Sequence, residues 1–401
     1  MAKLPKNLLT AAVMTATAAS FAPATFAADD AEFNFSTRTF YFNRDFREGP
    51  EDRIALTQAL RGDFVSATLA DRFRIGASVF ANLKLDGQKN DAGTALLKVD
   101  SNGDTEVYAK LGQLYLDAKL TDDVNLRLGR MVLGTPLLND PDNRATPSSS
   151  QAIVLTAKPG NADLYAIYTD KAVTKTETSF TEYSANGQDY DIVVLGGGYA
   201  FDNGLGVHVA YGKADDYQKQ LYLNTNYTID LGNSQSLLLD LYHYDGEADG
   251  NLYSNPDYNS TMTNLAARYT MGNLKLTASY QTIGGDDAYD YGWGGPDSSL
   301  PAVWNSVQFN DFNRKDEDSF QLRADYSFPA VPGLSGFARH TMGTYDNNGI
   351  DVDEAETNLD MTYSFQSGAL KGLSLRARLA HISADAYSDI NEVRFIANYR
   401  F

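Results

Sequence analysis

The stretch NEVRFIANYRF (Asn391–Phe401) decides the fold, because apolar and polar side chains alternate along it. From Phe401 back to Val393 every second residue is apolar, and the residues between them are charged or amide side chains, apart from Ile396. A period of two places the two sets on opposite faces of a β-strand. An apolar face opposite an arginine-bearing face, ending on an aromatic residue, is typical of the last strand of a bacterial outer-membrane barrel. The last strand of a soluble β-sandwich is the alternative, but the same pattern recurs along the chain.

The N-terminus has the features of an exported protein. Lys3 and Lys6 precede an apolar stretch and the cleavage-like triplet Thr25-Phe26-Ala27. We therefore expect residues 1–27 to be a secretory signal peptide. Cleavage after Ala24 or after Ala28 is the alternative. Residues 28–401 are expected to form one domain. No later segment approaches the roughly 18 consecutive apolar residues that a spanning helix needs, and the mean hydropathy is −0.36.

Composition excludes several functional classes. The chain has no cysteine, so disulfides and thiol chemistry are excluded. A net charge of −19 argues against nucleic acid as a partner. Acidic residues concentrate in segments 284–290, 313–319 and 351–357, which read as solvated outer loops; divalent-cation binding beside lipopolysaccharide is the alternative for them. The 25 tyrosines fit the aromatic girdles of a membrane barrel.

Tight Gly-, Pro-, Asn- and Asp-containing turns alternate with longer acidic segments along the chain. Eight short turns and nine long loops correspond to a barrel with both termini on the periplasmic side. The fold class is therefore all-β, a transmembrane antiparallel β-barrel of about eighteen strands with inward-folded outer loops. The predicted strands are 32–44, 56–69, 72–85, 105–120, 123–131, 150–157, 162–169, 190–201, 205–212, 218–231, 236–244, 262–271, 273–281, 318–328, 334–343, 356–366, 372–381 and 390–401.

Alternation also assigns arginines to the inner face of the barrel. In 318–328, for example, Phe320 and Leu322 face lipid, whereas Arg323 faces the interior. Charge in a small solid core would be costly, so the interior must be wet, as in barrels of this strand number. The predicted inward arginines are Arg38, Arg44, Arg127, Arg268, Arg323, Arg376, Arg378 and Arg394.

Irregular segments as long as 132–149 and 282–317 are uncommon inside a compact domain, so their length requires a structural explanation. We expect both to fold inward and narrow the pore; a flexible external loop is the alternative for 282–317. The second segment holds both tryptophans, Trp293 and Trp304. We expect these at an aromatic girdle, with stacking on sugar rings as the alternative.

Four phrases, in this order along the chain, resemble the OprD family, also called the outer-membrane carboxylate channels. They are YFNRDFR (Tyr41–Arg47), LRLGRMVLGTPLLNDPDNRATPSSSQA (Leu126–Ala152), WNSVQFNDFNRKDEDSFQLRADYSF (Trp304–Phe328) and SGALKGLSLRAR (Ser367–Arg378).

This resemblance implies an eighteen-strand, narrow-pored, substrate-selective channel whose eyelet has arginines on one side and acidic and hydroxyl groups on the other. The D-x-R-x-x-P match places Arg144 at the eyelet, followed by a hydroxyl run that begins at Ser148. The N-S-V-Q…D-F match places Ser306 and Asp311 near the opposing loop. We expect Arg144 and Asp311 to face each other across the narrowest section; the alternative is that Arg144 pins its loop through a carboxylate of that loop.

The leading functional hypothesis is a passive porin for small anionic or zwitterionic solutes bearing a carboxylate, such as amino acids and organic or aromatic acids. Arginine offers a carboxylate a permanently charged, bidentate site, and several weak sites favour conduction. A (chito-)oligosaccharide-selective or general diffusion porin is the alternative. Partners expected are small solutes, outer-membrane lipid and lipopolysaccharide, and the barrel-assembly machinery, which typically reads a terminal Phe; the oligomer is a monomer or a loose homotrimer.

An outer-membrane hydrolase is the remote alternative and would need a serine–histidine pair. The four histidines, His208, His243, His340 and His381, accompany no nucleophile motif and are expected at the rim or in the lumen. A purely adhesive barrel would not need inward arginines. We therefore expect no catalytic residue, no metal site and no cofactor, in a protein of the bacterial outer membrane.

Overall fold

Eighteen long antiparallel strands close into one barrel. The computed structural model describes residues 31–89, 93–347 and 349–401, and the predicted signal peptide lies outside these ranges. The sheet has no free edge, because the first long strand pairs with both the second and the last. No helix within the described ranges is long and apolar enough to cross a membrane. The strands are β1 (Glu32–Phe46), β2 (Arg53–Val65), β3 (Phe73–Gly87), β4 (Lys98–Val99), β5 (Thr105–Glu106), β6 (Tyr108–Lys119), β7 (Val124–Met131), β8 (Ser149–Ala157), β9 (Ala162–Val173), β10 (Thr181–Ala185), β11 (Gln188–Tyr190), β12 (Ile192–Ala200), β13 (Leu205–Ala214), β14 (Gln218–Gly232), β15 (Gln235–Ala248), β16 (Asn259–Met271), β17 (Leu274–Gly285), β18 (Asp318–Ser327), β19 (Leu334–Asp346), β20 (Asp351–Ser364), β21 (Leu373–Ala384) and β22 (Tyr387–Arg400).

The barrel strands correspond one to one with the eighteen predicted strands, and β4, β5, β10 and β11 lie in the long connections. The predicted start of one strand was wrong. Segment 351–357 is part of β20, not an irregular loop. Its acidic residues alternate, so that Glu354 and Glu356 are buried inside the barrel. Two of the nine connections expected to be long, 215–217 and 385–386, are tight turns between extended hairpins.

The outer and inner faces follow the predicted alternation. Leu322 of β18 is 55% exposed on the outer face, while its neighbour Arg323 points inward and stacks on Phe337. Ile396, which broke the pattern of the last strand, also points inward. It packs against the buried rings of Phe40 and Phe42 on β1. The exception is therefore an apolar contact inside the barrel.

One side of the barrel interior is filled. Inward residues of β7–β17 and the two long loops form a continuous apolar and aromatic cluster, here called the aromatic core. Open space lies on the other side, where a cavity of about 870 Å³ is bounded mainly by β1–β3, β6 and β20–β22. Members of the aromatic core include Met131, Leu137, Leu138, Tyr183, Tyr190, Ile192, Tyr222, Tyr244, Met262, Tyr289 and Trp293.

The aromatic core corrects the placement of the aromatic residues. Outward rings such as Tyr326 do lie at strand ends, but many tyrosines are inside the barrel. Trp293 is fully buried within the aromatic core, and Trp304 lies inside the barrel with its indole donating to buried Asp240, so the predicted girdle position was wrong for both. Three of the four histidines also do not point into the lumen, which was one of the two positions expected for them. The strand register places His243, His340 and His381 on the outer face, opposite Leu223, Leu322 and Thr357 respectively.

We expect the two faces to respond differently to the same substitution. Leu322→Arg puts a charge on the lipid-facing wall and should destabilise the folded barrel by about 2–4 kcal/mol. Ser374→Arg is the matched control, because Ser374 lines the interior cavity. Urea unfolding of protein refolded into lipid bilayers measures both, and equal losses of stability would contradict the assigned faces.

Candidate substrate path and constriction

Six of the inward arginines lie in two adjacent rows that cross β16–β22 and β1, and Arg376 lies one row lower, opposite Thr362 and Ile396. Barrel strands tilt by about 35–45° and lie about 4.8 Å apart, so a row of directly opposed residues climbs about 3 Å per strand, or about 20 Å over seven steps. The register thus forms a ladder along the barrel axis. The upper row, nearer the long loops, runs through Arg268, Thr277, Arg323, Arg339, Asn358, Ala380, Glu392 and Arg44. The lower row runs through Asp325, Phe337, Asp360, Arg378, Arg394 and Phe42.

Three carboxylates in these rows are each shared by two arginines. Asp360, for example, lies 2.6 Å from Nη2 of Arg376 and 3.0 Å from Nε of Arg378. Each group of three charges keeps one net positive charge. The other two groups are Glu392 with Arg44 at 2.6 Å and Arg394 at 2.5 Å, and Asp325 with Arg323 at 2.6 Å and Arg268 at 3.8 Å.

The carboxylates are better covered than the arginines they hold in two of these groups. The side chain of Asp360 is 5% exposed, whereas that of Arg376 is 39% exposed. Glu392 is fully buried, whereas Arg44 is 13% exposed. In these two groups the acids therefore hold the more exposed guanidinium groups in place from behind.

Aromatic rings fix the planes of several guanidinium groups. Arg323 lies 3.8 Å from the ring centroid of Phe337, and Arg268 lies 4.2 Å from that of Trp304. Arg44 lies 4.5 Å from the ring centroid of Phe309, a residue of the second long loop. Cation–π contacts of this kind add about 0.5–2 kcal/mol each and restrict the side-chain rotamers. We call the arginines of the two rows, together with Arg376, the arginine wall. Its guanidinium groups are therefore preorganised.

The first long loop, 132–148, folds inward and is tied to the wall by Asp142. This carboxylate accepts from Arg38 at 2.7 Å and lies 3.8 Å from Arg61. Arg38 also donates to the backbone carbonyl of Arg144 at 2.5 Å. Arg144 itself donates to the backbone carbonyl of Thr94 at 2.8 Å, and burial lowers its pKa to about 10. Asp142, the carboxylate that fixes this loop to the barrel, is thus bound by Arg38 and not by Arg144.

The second long loop, 286–317, also folds inward, and a buried carboxylate of β20 holds its tip. Glu356 accepts from the backbone N–H groups of Gln308, Phe309 and Asn310 at 3.0, 3.1 and 2.9 Å. The side-chain amide of Gln308 also donates to Glu392 at 2.8 Å. Three consecutive N–H groups on one carboxylate fix both the position and the direction of the backbone. The tip therefore lies against the arginine wall.

The two long loops also contact each other. Trp293 donates from its indole to the carbonyl of Leu137 at 2.5 Å, and Asn139 donates to the carbonyl of Leu300 at 3.0 Å. Asp140 and Asp297 support this junction, and burial raises their pKa values to about 7 and about 6. These acids hold loop backbone and hydroxyl groups inside the protein and do not line the lumen.

The residues predicted for the constriction fall into different environments. Ser306 donates to Asp311, which also accepts from Tyr291 at 2.5 Å, so these two form one hydrogen-bonded site. Ser148 is 1% exposed and lies under the loop surface. The hydrogen bonds of Arg144 go to backbone carbonyls. The pairing of Arg144 with Asp311 across the eyelet stays a prediction.

Two inward arginines escaped the sequence analysis. Arg61 and Arg339 share the inward parity of their strands but were not assigned to the ladder; Arg339 donates to Asn358 at 2.6 Å. Arg394 is only 2% exposed, so it supports the wall from behind. Arg127 pairs one to one with Asp117 on β6, away from the two rows. Among the described residues, no group of three or more metal-binding side chains is positioned to hold an ion.

Comparisons with known proteins agree with this architecture. The pattern of the OprD family, described as an outer membrane porin family, matches residues 25–401. The chain belongs to the OprD family. Porin D of Pseudomonas aeruginosa strain PAO1 is 31% identical over 410 residues, covering 92% of this chain and 90% of that protein.

Two solved structures share the fold of this OprD-family chain. Pseudomonas aeruginosa OccK9 superposes with a TM-score of 0.85 at 26% identity, covering 93% of this chain and 98% of that one. Acinetobacter baumannii OccAB2 gives 0.84 at 26% identity, with the same coverage. The chain is therefore an outer-membrane porin that passes small solutes, and the matched relatives are porins, not enzymes. The predicted family, fold and location are confirmed.

We expect Glu356 to set the width of the pore. Glu356→Ala removes the acceptor of three backbone N–H groups, which costs the loop tip about 2 kcal/mol or more, so single-channel conductance and open-channel noise should both rise. Glu356→Gln removes the same charge but keeps one acceptor oxygen and should show a smaller effect. Asp351→Asn, on the exposed end of the same strand, is the charge control. If all three variants have the same conductance as the unmodified channel, Glu356 does not position the loop.

Proposed function

We propose that this porin conducts small water-soluble solutes that bear a carboxylate, including amino acids and organic or aromatic acids, along the arginine wall. The observation that carries the proposal is the sharing of one carboxylate by two arginines at three places in adjacent rows. Each such group has a residual positive charge in the lumen although the whole chain carries −19. The local field at the narrow part of a pore, focused by low-dielectric walls, decides selectivity more than the total charge.

The geometry leaves donors available for a solute. Arg376 binds Asp360 through Nε and Nη2. A guanidinium has five N–H donors, so the Nη1 group can bind a passing carboxylate without displacing the resident one. Competition from the resident acid keeps each site weak, and several weak sites along a ladder let a solute enter and leave. This arrangement suits conduction.

The residues do not favour the oligosaccharide-selective alternative. Trp293 is buried in the aromatic core, and one face of Trp304 is covered by Arg268 while its indole donates to Asp240 at 3.0 Å. Trp293 therefore offers the lumen no ring, and Arg268 leaves less of the Trp304 ring for stacking on a sugar. The constriction role of Arg144, Ser306 and Asp311 belongs to the same proposal.

The proposed partners outside the pore follow from the barrel surface. We propose that the barrel-assembly machinery reads the terminal strand during insertion. The ring of Phe401 packs against Phe35 and Tyr399 at centroid distances of 4.9 and 4.8 Å. Lipopolysaccharide is the proposed neighbour of the acidic outer rim. The native mass of the detergent-solubilised protein decides between a monomer and a loose homotrimer.

A charge series at one group tests the carboxylate proposal. Asp360→Asn raises the charge of that group by one, Arg376→Gln lowers it by one, and Arg376→Gln with Arg378→Gln lowers it by two. Liposome swelling with gluconate and with sorbitol, its neutral analogue, measures the anion preference. Each step should change the gluconate-to-sorbitol ratio in the direction of the charge, by roughly fivefold for about 1 kcal/mol of interaction at contact distance.

Arg127→Gln is the matched control for this series, because it removes one charge from the lumen at a pair outside the two rows. We expect it to leave the gluconate-to-sorbitol ratio nearly unchanged. A ratio that stays constant across the series at Asp360, Arg376 and Arg378 would sink the carboxylate proposal and leave a general diffusion porin.

A further inference from the structure

The first long loop, 132–148, places one carboxylate against the open part of the lumen. The cavity of about 870 Å³ is lined by Asp142 of this loop and by Arg38 and Arg61 of the barrel. These two arginines lie outside the arginine wall, and Asp142 contacts both of them. A solute in the cavity therefore meets two arginines whose partner is a carboxylate supplied by the loop.

Asp142 binds Arg38 in the geometry that a free carboxylate adopts on a guanidinium group. Its Oδ1 lies 2.7 Å from Nη1 of Arg38, and its Oδ2 lies 3.2 Å from Nη2. Arg61 approaches the same Oδ2 to 3.8 Å. Two parallel N–H···O bonds are the general mode by which arginine recognises carboxylates. Asp142 and the carboxylate of a solute would therefore use the same donors.

The exposure of Asp142 is the reverse of that in the arginine wall. Its side chain is 39% exposed, whereas that of Arg38 is 23% exposed. Asp360 and Glu392, in contrast, are buried and lie behind their arginines. Asp142 thus lies in front of Arg38, on the side from which a solute arrives.

Arg38 keeps other bonds that do not depend on Asp142. Its Nε donates to Oδ1 of Asn398 at 2.7 Å, and its Nη1 also donates to the backbone carbonyl of Arg144. These bonds fix the plane of the guanidinium group. The donors that Asp142 uses therefore stay in position for another carboxylate when Asp142 leaves.

The loop is fixed on both sides of Asp142 by contacts that do not involve this carboxylate. Asp140 accepts from the backbone N–H of Leu133 at 2.8 Å, and Thr146 donates to the backbone carbonyl of Lys175 at 3.0 Å. Within the described part of the chain, Asp142 itself is held through the two arginines alone. It can therefore leave them while both neighbouring parts of the loop stay in place.

The exchange of Asp142 for a solute carboxylate is nearly balanced, because one carboxylate leaves the donors that another takes. A group on a short flexible tether competes at an effective concentration of about a millimolar. We infer that Asp142 is a tethered competitor, which occupies the solute's site on Arg38 and Arg61 and is displaced by the solute carboxylate. The inference rests on the proposed function, since a channel that binds no carboxylate has nothing to exchange with Asp142.

Asp142 is then a residue that determines specificity. A carboxylate-bearing solute at millimolar concentration displaces it and binds the two arginines. A neutral solute leaves it in place and finds no free donor there.

Block of the small-ion current by gluconate, measured on single channels of the full-length protein, tests the inference. Asp142→Asn removes the competing charge at nearly constant size, so the gluconate concentration for half-maximal block should fall about fivefold. If Asp142 were only an anchor of the loop, its loss would loosen the loop and leave gluconate block weaker or unchanged. Asp142→Glu restores a carboxylate and should return the half-blocking concentration towards that of the unmodified channel.

Asp117→Asn is the matched control, because it also removes one negative charge from the lumen, at the pair with Arg127 outside the two rows. It should change the half-blocking concentration less than about twofold, since salt screens a distant charge. In an Arg38→Gln channel, Asp142→Asn should have little effect, because the shared donors are gone.

The inference is overturned if Asp142→Asn leaves gluconate block unchanged or weakens it, or if Asp117→Asn tightens the block equally. Failure of the carboxylate proposal shows in a different measurement, as a constant gluconate-to-sorbitol ratio across the charge series at Asp360. A ratio that follows that series, together with unchanged block in Asp142→Asn, would reject the tethered competitor alone.

Discussion

The sharing of carboxylates by pairs of arginines is the interaction on which the rest of the pore depends. An arginine without an acid would be costly to hold beneath an inward loop, and an arginine with its own acid would present no net charge. Asp360 and Glu392 avoid both outcomes, because each is buried and serves two guanidinium groups. Under our proposal, the arginine wall is thereby held in a fixed geometry and keeps the positive charge that attracts an anion.

The position of the path follows from what fills the opposite side of the barrel. Trp293 and the tyrosines of the aromatic core occupy the interior beside β7–β17, and the two long loops pack onto them. Glu356 then holds the second loop tip on the far side, at the arginine wall. The open part of the lumen is confined to one side because the other side is packed like a protein core. The position of the open lumen thus depends both on the packing of the aromatic core and on the charged contacts of the second loop.

The sequence predicted the parts of this structure that depend on local period. Alternation in β18 separates Leu322 from Arg323 whatever surrounds them, so strands and faces were found correctly. Segment 351–357 was misread because clustered acids usually indicate a solvated loop, whereas a wet lumen also accepts them on alternate positions. The burial of Trp293 depends on loop packing, which no local period specifies. The outward direction of His340 follows from the alternation of β19 beside inward Arg339.

The path itself could not be predicted from local pattern. That Asp360 serves both Arg376 and Arg378 depends on the register between β20 and β21, which a single sequence does not specify. The same holds for Glu356 and the tip at Gln308, which lie 48 residues apart in the chain. Family resemblance indicated the right loops, but the geometry was needed to show that Asp142 acts through Arg38 and that Arg394 lies behind the wall.

The most direct measurement of the central claim is a crystallographic experiment with 4-iodobenzoate, an aromatic carboxylate whose iodine gives an anomalous signal. Our account predicts iodine peaks in the lumen with the carboxylate within hydrogen-bonding distance of exposed guanidinium groups, Arg376 first. Iodobenzoate bound only to the outer loops or the lipid-facing surface, with the arginine wall empty at saturating concentration, would contradict it.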